Sequence, residues 1–342
     1  MSRAMPKPAA TSKSSAKFHL HIENSTRLNE VFEASRKRVR DAVNRHPDLK
    51  DRLKITIGYG GDILDKQLPK ADALFCHRID FTNIRERAPK LRWIHIHGAG
   101  VEHLMPLDWL PEDMLLMNSS GVHGRRATEY AATAILMLNN RIPELVTHQH
   151  ARRWQQCFNS SIGGKTLLIV GVGKIGANIA RWAKTMDMKV LGIRRTGKPC
   201  RNVDEMHTTD KLRKLLPRAD FVLVAAPLTK DTDGLMGKKE LDLMRNGTGL
   251  VNYSRARVVD YDYLRQKCSR GELSAVLDVF SPEPLPKSSP LWRTPNMILT
   301  PHCGSDDTNY YTPRTLDMIL DNIRRDLAGK KLSNVVDRDL QY

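Results

Sequence analysis

Aromatic residues are scarce in this chain, 6% of 342, and they do not interleave with the basic clusters as a base-stacking platform requires. There is also no zinc-finger or RNP-type spacing and no long basic tail. A nucleic-acid partner is therefore not expected, although the formal net charge is +17. The basic groups are dispersed, at Arg36-Lys37-Arg38, Arg125-Arg126, Arg152-Arg153, Arg194-Arg195, Arg324-Arg325 and Lys330-Lys331, and read as solvated helix faces. Long apolar runs are lacking too. The longest, residues 166–180, is broken by Lys174 and turn residues, short of the roughly 18 uncharged apolar residues of a membrane span. The five cysteines (Cys76, Cys157, Cys200, Cys268 and Cys303) form no CxxC pair. That argues against a disulfide framework or a zinc site, and points to buried thiols in a reducing compartment such as the cytoplasm. No metal is expected.

What is present is material for two domains. Residues 1–16 are rich in Ser, Ala, Pro and Lys and contain no acid, the composition of a disordered tail; an organellar transit peptide is the minor alternative. From Lys17 the pattern alternates. Phe18, Leu20 and Ile22 interleave with His19 and His21 as in a strand, and residues 28–45 read as a helix with Val31, Ala34, Val39 and Val43 as its apolar positions. Strands follow at Leu53–Tyr59, Ala73–Cys76 and residues 91–96. A helix at about residues 124–140 carries Ala127, Ala131, Ile135 and Leu138 on one stripe. The pattern then restarts, with strands expected at Thr166–Val170, Lys189–Ile193, 221–225, Gly249–Asn252, 275–279 and Met297–Leu299. Strands separated by helices imply parallel α/β layers.

The strand Thr166–Val170 runs into Gly171-Val172-Gly173-Lys174-Ile175-Gly176 and then a helical pattern. This spacing suits a dinucleotide pyrophosphate. Gly171 permits the tight turn, Gly173 lets the anion approach the backbone, and Gly176 lets helix and strand pack closely. The helix amino terminus adds free N–H groups. After the second strand an NAD-selective site places a carboxylate; here stand Arg194, Arg195 and Thr196. Two guanidiniums and a hydroxyl suit a 2′-phosphate, so NADP is preferred and NAD is the alternative.

Three later loops each carry one reactive side chain after a strand: Arg255, Glu283 and His302. Reduction of a keto acid needs a cation for the carboxylate and carbonyl, a proton donor, and a carboxylate that keeps the donor charged. Arginine, histidine and glutamate supply these.

At these residues the chain resembles the D-isomer-specific 2-hydroxyacid dehydrogenases, closest to their glyoxylate/hydroxypyruvate reductase branch. The resemblance is carried in order by Gly98-Ala99-Gly100-Val101, Ser120 to Gly124, Thr128-Glu129-Tyr130, the glycine turn, Pro227-Leu228-Thr229, Asn252 to Asp260, Asp278 to Pro284 and Thr300-Pro301-His302. It implies that Arg255 binds and polarises the substrate, that His302 is the acid/base, and that Glu283 pairs with it. Gly98, Ala99, Gly100 and Val101 would bind the substrate carboxylate. Pro227, Thr232 and Asp278 would join Gly171, Gly173, Lys174, Ile175, Gly176, Arg194, Arg195 and Thr196 at the cofactor. It further implies two doubly wound α/β domains: a Rossmann nucleotide domain over residues 121–300, and a discontinuous flavodoxin-like substrate domain over 17–120 and 301–342. A homodimer using the helix near residues 124–140 is expected. A dinucleotide-sensing corepressor or scaffold with little turnover is the alternative.

The chain departs from the family pattern after Arg255. Ala256 replaces a usual glycine, so a left-handed backbone there would be strained. Arg257 would either enlarge the anion site or face solvent, and Tyr253-Ser254 is bulkier than the usual pair.

Overall fold

The computed structural model describes residues 16–342; the expected disordered tail therefore lies, but for Ala16, outside the described residues. The chain divides into two compact units, Met1–Val122 with Asp307–Tyr342, and His123–Asp306. Residues 301–306, assigned above to the substrate domain, thus belong to the second unit.

The first unit is a five-stranded parallel sheet of β1 (Phe18–Asn24), β2 (Leu53–Tyr59), β3 (Ala73–Cys76), β4 (Trp93–Ile96) and β5 (Leu115–Asn118) in the order 2-1-3-4-5, the flavodoxin-like winding. The alternation in β1 marks its two faces but not their exposure, because all seven residues are buried. Phe18, Leu20 and Ile22 enter one apolar cluster. On the other face His19 Nε2 and His21 Nδ1 each lie 2.9 Å from Thr56 Oγ1, and His21 Nε2 lies 3.1 Å from Glu23 Oε2. Buried imidazoles are tolerated because they are hydrogen-bonded. The expected helix over residues 28–45 is shorter, Arg36–Arg45, preceded by a single 3₁₀ turn at Glu30–Phe32. Ser35 sets its start, its hydroxyl accepting the Arg38 N–H.

The chain returns to this unit as the Tyr311–Leu327 helix. Its stripe Leu316, Ile319, Leu320 and Ile323 packs into the cluster that holds Leu20, Ile22 and Trp93. In its last turn Asp326 accepts the Trp93 indole N–H at 2.8 Å and an Arg92 N–H at 2.8 Å. Burial, opposed by those two donors, raises the Asp326 pKa.

The second unit is a seven-stranded parallel sheet of β6 (Thr166–Val170), β7 (Lys189–Ile193), β8 (Glu205–His207), β9 (Phe221–Val224), β10 (Gly249–Asn252), β11 (Ser274–Leu277) and β12 (Met297–Leu299), in the order 12-11-10-9-6-7-8. Counted from β6 this is the Rossmann order with one further strand at the edge. Both faces of β6 are covered, Leu168 and Val170 in one cluster and Leu167 and Ile169 in the other, which is why it reads as an unbroken apolar run. The second cluster also takes Ala127, Ala131, Ile135 and Leu138 from the Gly124–Asn139 helix. Strand order reverses between β6 and β9, which opens a crevice beyond their carboxyl ends.

All five cysteines are free. Only Cys76 and Cys268 are buried, while Cys157 and Cys200 are half-buried and Cys303 is exposed, which corrects the expectation of buried thiols for three of them. No helix among the described residues is long and apolar enough to cross a membrane.

Replacing Asp326 with Ala removes the acceptor for a buried indole and a guanidinium. The expected loss is about 2–3 kcal/mol, read as a lower urea midpoint; an unchanged midpoint would show that the returning helix is held by its apolar stripe alone.

Candidate active site

The turn after β6 is built by glycine. Gly171 has φ +104°, and a Cβ there would lie 2.7 Å from the Ala225 carbonyl carbon and closer still to Ala226. A Cβ on Gly176 would meet the Gly171 carbonyl oxygen at 2.8 Å, so helix and turn touch at that point. Nothing lies within 4 Å of a Cβ placed on Gly173. The turn is tied to the end of β7 by the Gly171 and Val172 N–H groups, 3.0 and 2.8 Å from the Ile193 carbonyl. Gly173 then caps the Lys174–Thr185 helix without a side chain. Backbone N–H groups at the start of a 12-residue helix, with space in front of them, fit the pyrophosphate of a dinucleotide. Burial lowers the Lys174 pKa.

Arg194, Arg195 and Thr196 follow the end of β7, with Arg195 and Thr196 exposed. The next acids on the chain are committed elsewhere. Asp204 takes Lys184 at 3.0 Å and the Val190 N–H at 2.7 Å. Glu205 takes Arg218 and Lys189, and Arg218 first among them holds its pKa down to about 2. Thr232 and Pro227 belong to the loop after β9. The Thr232 hydroxyl donates to the Pro227 carbonyl at 2.6 Å and accepts the Thr229 N–H at 2.8 Å, so it shapes that loop. Gly98, Ala99, Gly100 and Val101 lie in the first unit, in the loop after β4, where the Gly98 carbonyl accepts the Ser119 N–H at 3.0 Å.

Arg255, Glu283 and His302 occupy the loops after β10, β11 and β12. His302 Nδ1 stands 2.7 Å from Glu283 Oε2, and Glu283 Oε1 accepts the Phe280 N–H at 2.7 Å. The bond to Glu283 raises the His302 pKa against the opposing effect of burial. Glu283 is shifted the other way. Desolvation would raise it, but His302, the Phe280 N–H and the Arg255 charge together bring it below the usual range. The pair therefore favours imidazolium and carboxylate. Asn252 holds the Arg255 loop: its Nδ2 donates to the Arg255 carbonyl at 3.1 Å and its Oδ1 accepts the Ser254 N–H at 3.1 Å.

Two departures are resolved by the structure. Ala256 is not left-handed; it begins a 3₁₀ turn, Ala256–Val258, after an extended Arg255. The left-handed residue is His302 itself, at φ 49°. Of the two outcomes expected for Arg257 the solvent-facing one holds: its side chain is exposed, and its guanidinium pairs there with Asp233.

Asp278 was expected at the cofactor. It is 1% exposed, and its carboxylate accepts Thr300 Oγ1–H at 2.6 Å, the Cys303 N–H at 3.1 Å and the Gly304 N–H at 3.0 Å. It holds the loop that carries His302. A second His–acid pair escapes the motif reading. His123 Nδ1 lies 3.3 Å from the Ser305 carbonyl and 3.6 Å from Asp306 Oδ1. Burial drives the His123 pKa down to about 4 and raises that of Asp306. In the sequence His123 stands in the Ser120 to Gly124 motif and Asp306 four residues after His302, with nothing local to join them.

Among the described residues Glu144, His148 and Cys157 also gather at metal-like spacing. Their contacts converge on the Glu144 carboxylate, which pairs with Arg141 at 2.7 and 2.8 Å and lies 3.6 Å from both His148 Nε2 and Cys157 Sγ. This is an acceptor hub.

A Rossmann sheet with a glycine cradle at its switch point, and a hydrogen-bonded His–Glu pair on the two loops next to that of an arginine, define a dinucleotide-dependent oxidoreductase. Residues 132–304 match the NAD-binding domain of the D-isomer specific 2-hydroxyacid dehydrogenases. The chain is 30% identical over 266 residues to a glyoxylate reductase of Korarchaeum cryptofilum, spanning 75% of this chain and 79% of that protein. It is 31% identical over 257 residues to a glyoxylate reductase of Thermococcus gammatolerans, spanning 71% and 76%. A D-isomer specific 2-hydroxyacid dehydrogenase from Xanthobacter autotrophicus Py2, solved with NADPH and MES, is similar with a TM-score of 0.82 at 28% identity, over 96% of this chain and 100% of that one. This chain belongs to the D-isomer specific 2-hydroxyacid dehydrogenases, NAD(P)-dependent oxidoreductases acting on the CH–OH group.

The glycine geometry separates two substitutions. Gly171→Ala should cost about 2 kcal/mol or more, from overlap and a positive φ. Gly173→Ala, with open space and a negative φ, should stay within about 1 kcal/mol. Thermal melts without dinucleotide decide this, and equal losses would refute the packing argument.

Proposed function

We propose that the protein is an NADPH-preferring reductase of a small 2-keto acid such as glyoxylate or hydroxypyruvate, with the second unit as its nucleotide domain and the first as its substrate domain. The observation that carries the reading is the 2.7 Å His302–Glu283 contact on the loops next to that of Arg255. The names of the archaeal relatives support the substrate class. The exposed guanidinium and hydroxyl of Arg195 and Thr196, beside Arg194, support the 2′-phosphate.

Gly171, Gly173, Lys174, Ile175 and Gly176 would hold the pyrophosphate, with Pro227 and Thr232 shaping the loop beside it. The reduced nicotinamide, when bound, supplies the hydride that adds to C2 of the keto acid. Arg255 binds the carboxylate and draws electron density onto the carbonyl oxygen. By the family resemblance, the loop Gly98-Ala99-Gly100-Val101 would offer backbone N–H groups to a substrate carboxylate. As the carbonyl π pair moves onto oxygen, the proton on His302 Nε2 passes to it, and the 2-hydroxy acid leaves a neutral imidazole. Glu283 stabilises the imidazolium before transfer and fixes Nδ1 as the protonated nitrogen that faces it. The protein would work in the cytoplasm as a homodimer, with the Gly124–Asn139 helix in the interface; light scattering on the purified chain tests the assembly.

Loss of nicotinamide absorbance with NADPH and NADH tests the reaction. Arg255→Ala and His302→Ala should each lower kcat/KM by about 10²-fold or more. Replacing Arg194 and Arg195 together with Ala should raise KM for NADPH about tenfold and leave NADH unchanged. Turnover that favours NADH in the unmodified protein would sink the cofactor preference, and no turnover with any keto acid would sink the substrate class.

The pH dependence follows from the shifts. His302 has a raised pKa, so the acid is present at low pH and reduction should fall as pH rises through a point above 6.5. Glu283→Gln removes the main cause of that elevation, so the fall should move to lower pH. A fall that stays in place would show that Glu283 does not tune His302.

A further inference from the structure

We propose that Tyr130 is a positioning residue for His302, a single phenol that ties the Gly124–Asn139 helix to the loops bearing both His302 and Arg255; the proposal rests on the acid/base reading of His302 above. Tyr130 lies in the Thr128-Glu129-Tyr130 motif, to which no function has yet been attached.

Hydrogen-bond bookkeeping gives the direction. Tyr130 Oη is 2.7 Å from Thr300 Oγ1, and the Thr300 hydroxyl proton is used on Asp278 Oδ1 at 2.6 Å. A hydroxyl has one proton, so in the bond to Tyr130 the phenol donates. Burial raises the Tyr130 pKa above its ordinary value, which keeps the phenol a donor across the working range. A chain of donors thus runs from Tyr130 to Thr300 to Asp278. The same carboxylate takes the Cys303 and Gly304 N–H groups, the two amides that follow His302. They hold His302 in its left-handed conformation, φ 49°, which a non-glycine residue adopts only when its surroundings enforce it.

Packing gives a second, separate link. Gly304 lies flat on the Tyr130 ring, since a Cβ on Gly304 would stand 2.7–2.8 Å from its carbons. The ring also meets Tyr253 edge-on, with centroids 5.8 Å apart and planes at 69°, and Tyr253 is buried two residues before Arg255. One side chain therefore supports the backbone of both loops. Loosening it frees His302 to drift from Glu283, which would lower the imidazole pKa.

The test is an NMR titration of the His302 ring in the whole protein, assigned with His302→Ala, together with kcat and KM. Tyr130→Phe keeps the ring and removes only the donor. It should lower the His302 pKa and reduce kcat about three- to tenfold, the effect of one neutral hydrogen bond, with KM little changed. Thr300→Val breaks both links of the chain and should do more. Tyr59→Phe is the control, because it likewise loses one phenol hydrogen bond, here to the Glu33 carboxylate at 2.8 Å in the first unit; its kcat and His302 titration should match the unmodified protein. The proposal is overturned if His302 titrates identically in Tyr130→Phe, Thr300→Val and the unmodified protein, or if Tyr59→Phe loses as much kcat as Tyr130→Phe. Absence of keto-acid turnover in the unmodified protein would instead remove the acid/base reading, and the titration would still decide whether Tyr130 holds His302.

Discussion

A carboxylate buried at the end of a strand must collect donors or leave the interior. Asp278 follows β11 and is 1% exposed. It collects three donors, all from the loop after β12. The turn at Thr300-Pro301-His302-Cys303-Gly304 therefore has one conformation, and His302 is presented to Glu283 at 2.7 Å. The other parts of the candidate site depend on that turn. Without it the left-handed backbone at His302 would relax, the contact that raises the imidazole pKa would lengthen, and the Arg255 loop would lose the Tyr130 ring it shares with Gly304.

The glycine cradle, on the loop after β6 in the same sheet, shows the same economy. Each of its three glycines has a different reason. Gly171 cannot carry a Cβ because Ala225 and Ala226 stand against it, Gly176 cannot because the Gly171 carbonyl is there, and Gly173 has open space before it. Only the first two are constraints of the fold. The third would be a constraint only when an anion approaches, which is the physical sense in which the cradle would be a binding site rather than a tight turn.

Much of this was legible in the sequence where the signal is local. The runs at β6, β7 and β10 are apolar, short and bounded by turn residues, and they form strands with the bounds that the pattern predicts. The stripe of the Gly124–Asn139 helix is buried residue by residue. β5 and β8, of four and three residues, carry no period to read. The stripe of the Tyr311–Leu327 helix obeys the same rule as the Gly124–Asn139 one, but its anchor does not. Asp326 meets Trp93 across 233 positions, and no local pattern holds that information. Motif order likewise places Arg255, Glu283 and His302 on successive loops. It does not reveal that Asp278 holds the loop of His302, because its partners lie 22 to 26 residues away.

The departures after Arg255 illustrate why identity at a motif position is weaker than its conformation. A glycine-to-alanine change suggests strain only if the glycine was used for its left-handed freedom. Here Arg255 is extended and Ala256 enters a 3₁₀ turn, so alanine is admitted without cost. Arg257 is admitted for a different reason, because Asp233 on the neighbouring loop pairs with its guanidinium and its carbonyl accepts the Gly234 N–H at 2.8 Å. That pair adds no positive charge to the substrate. With that backbone bond it links the Arg255 loop to the loop after β9, which also contains Pro227 and Thr232. Of the dispersed basic residues of this chain, Arg257 is thus one that an acid on a neighbouring loop engages at the surface.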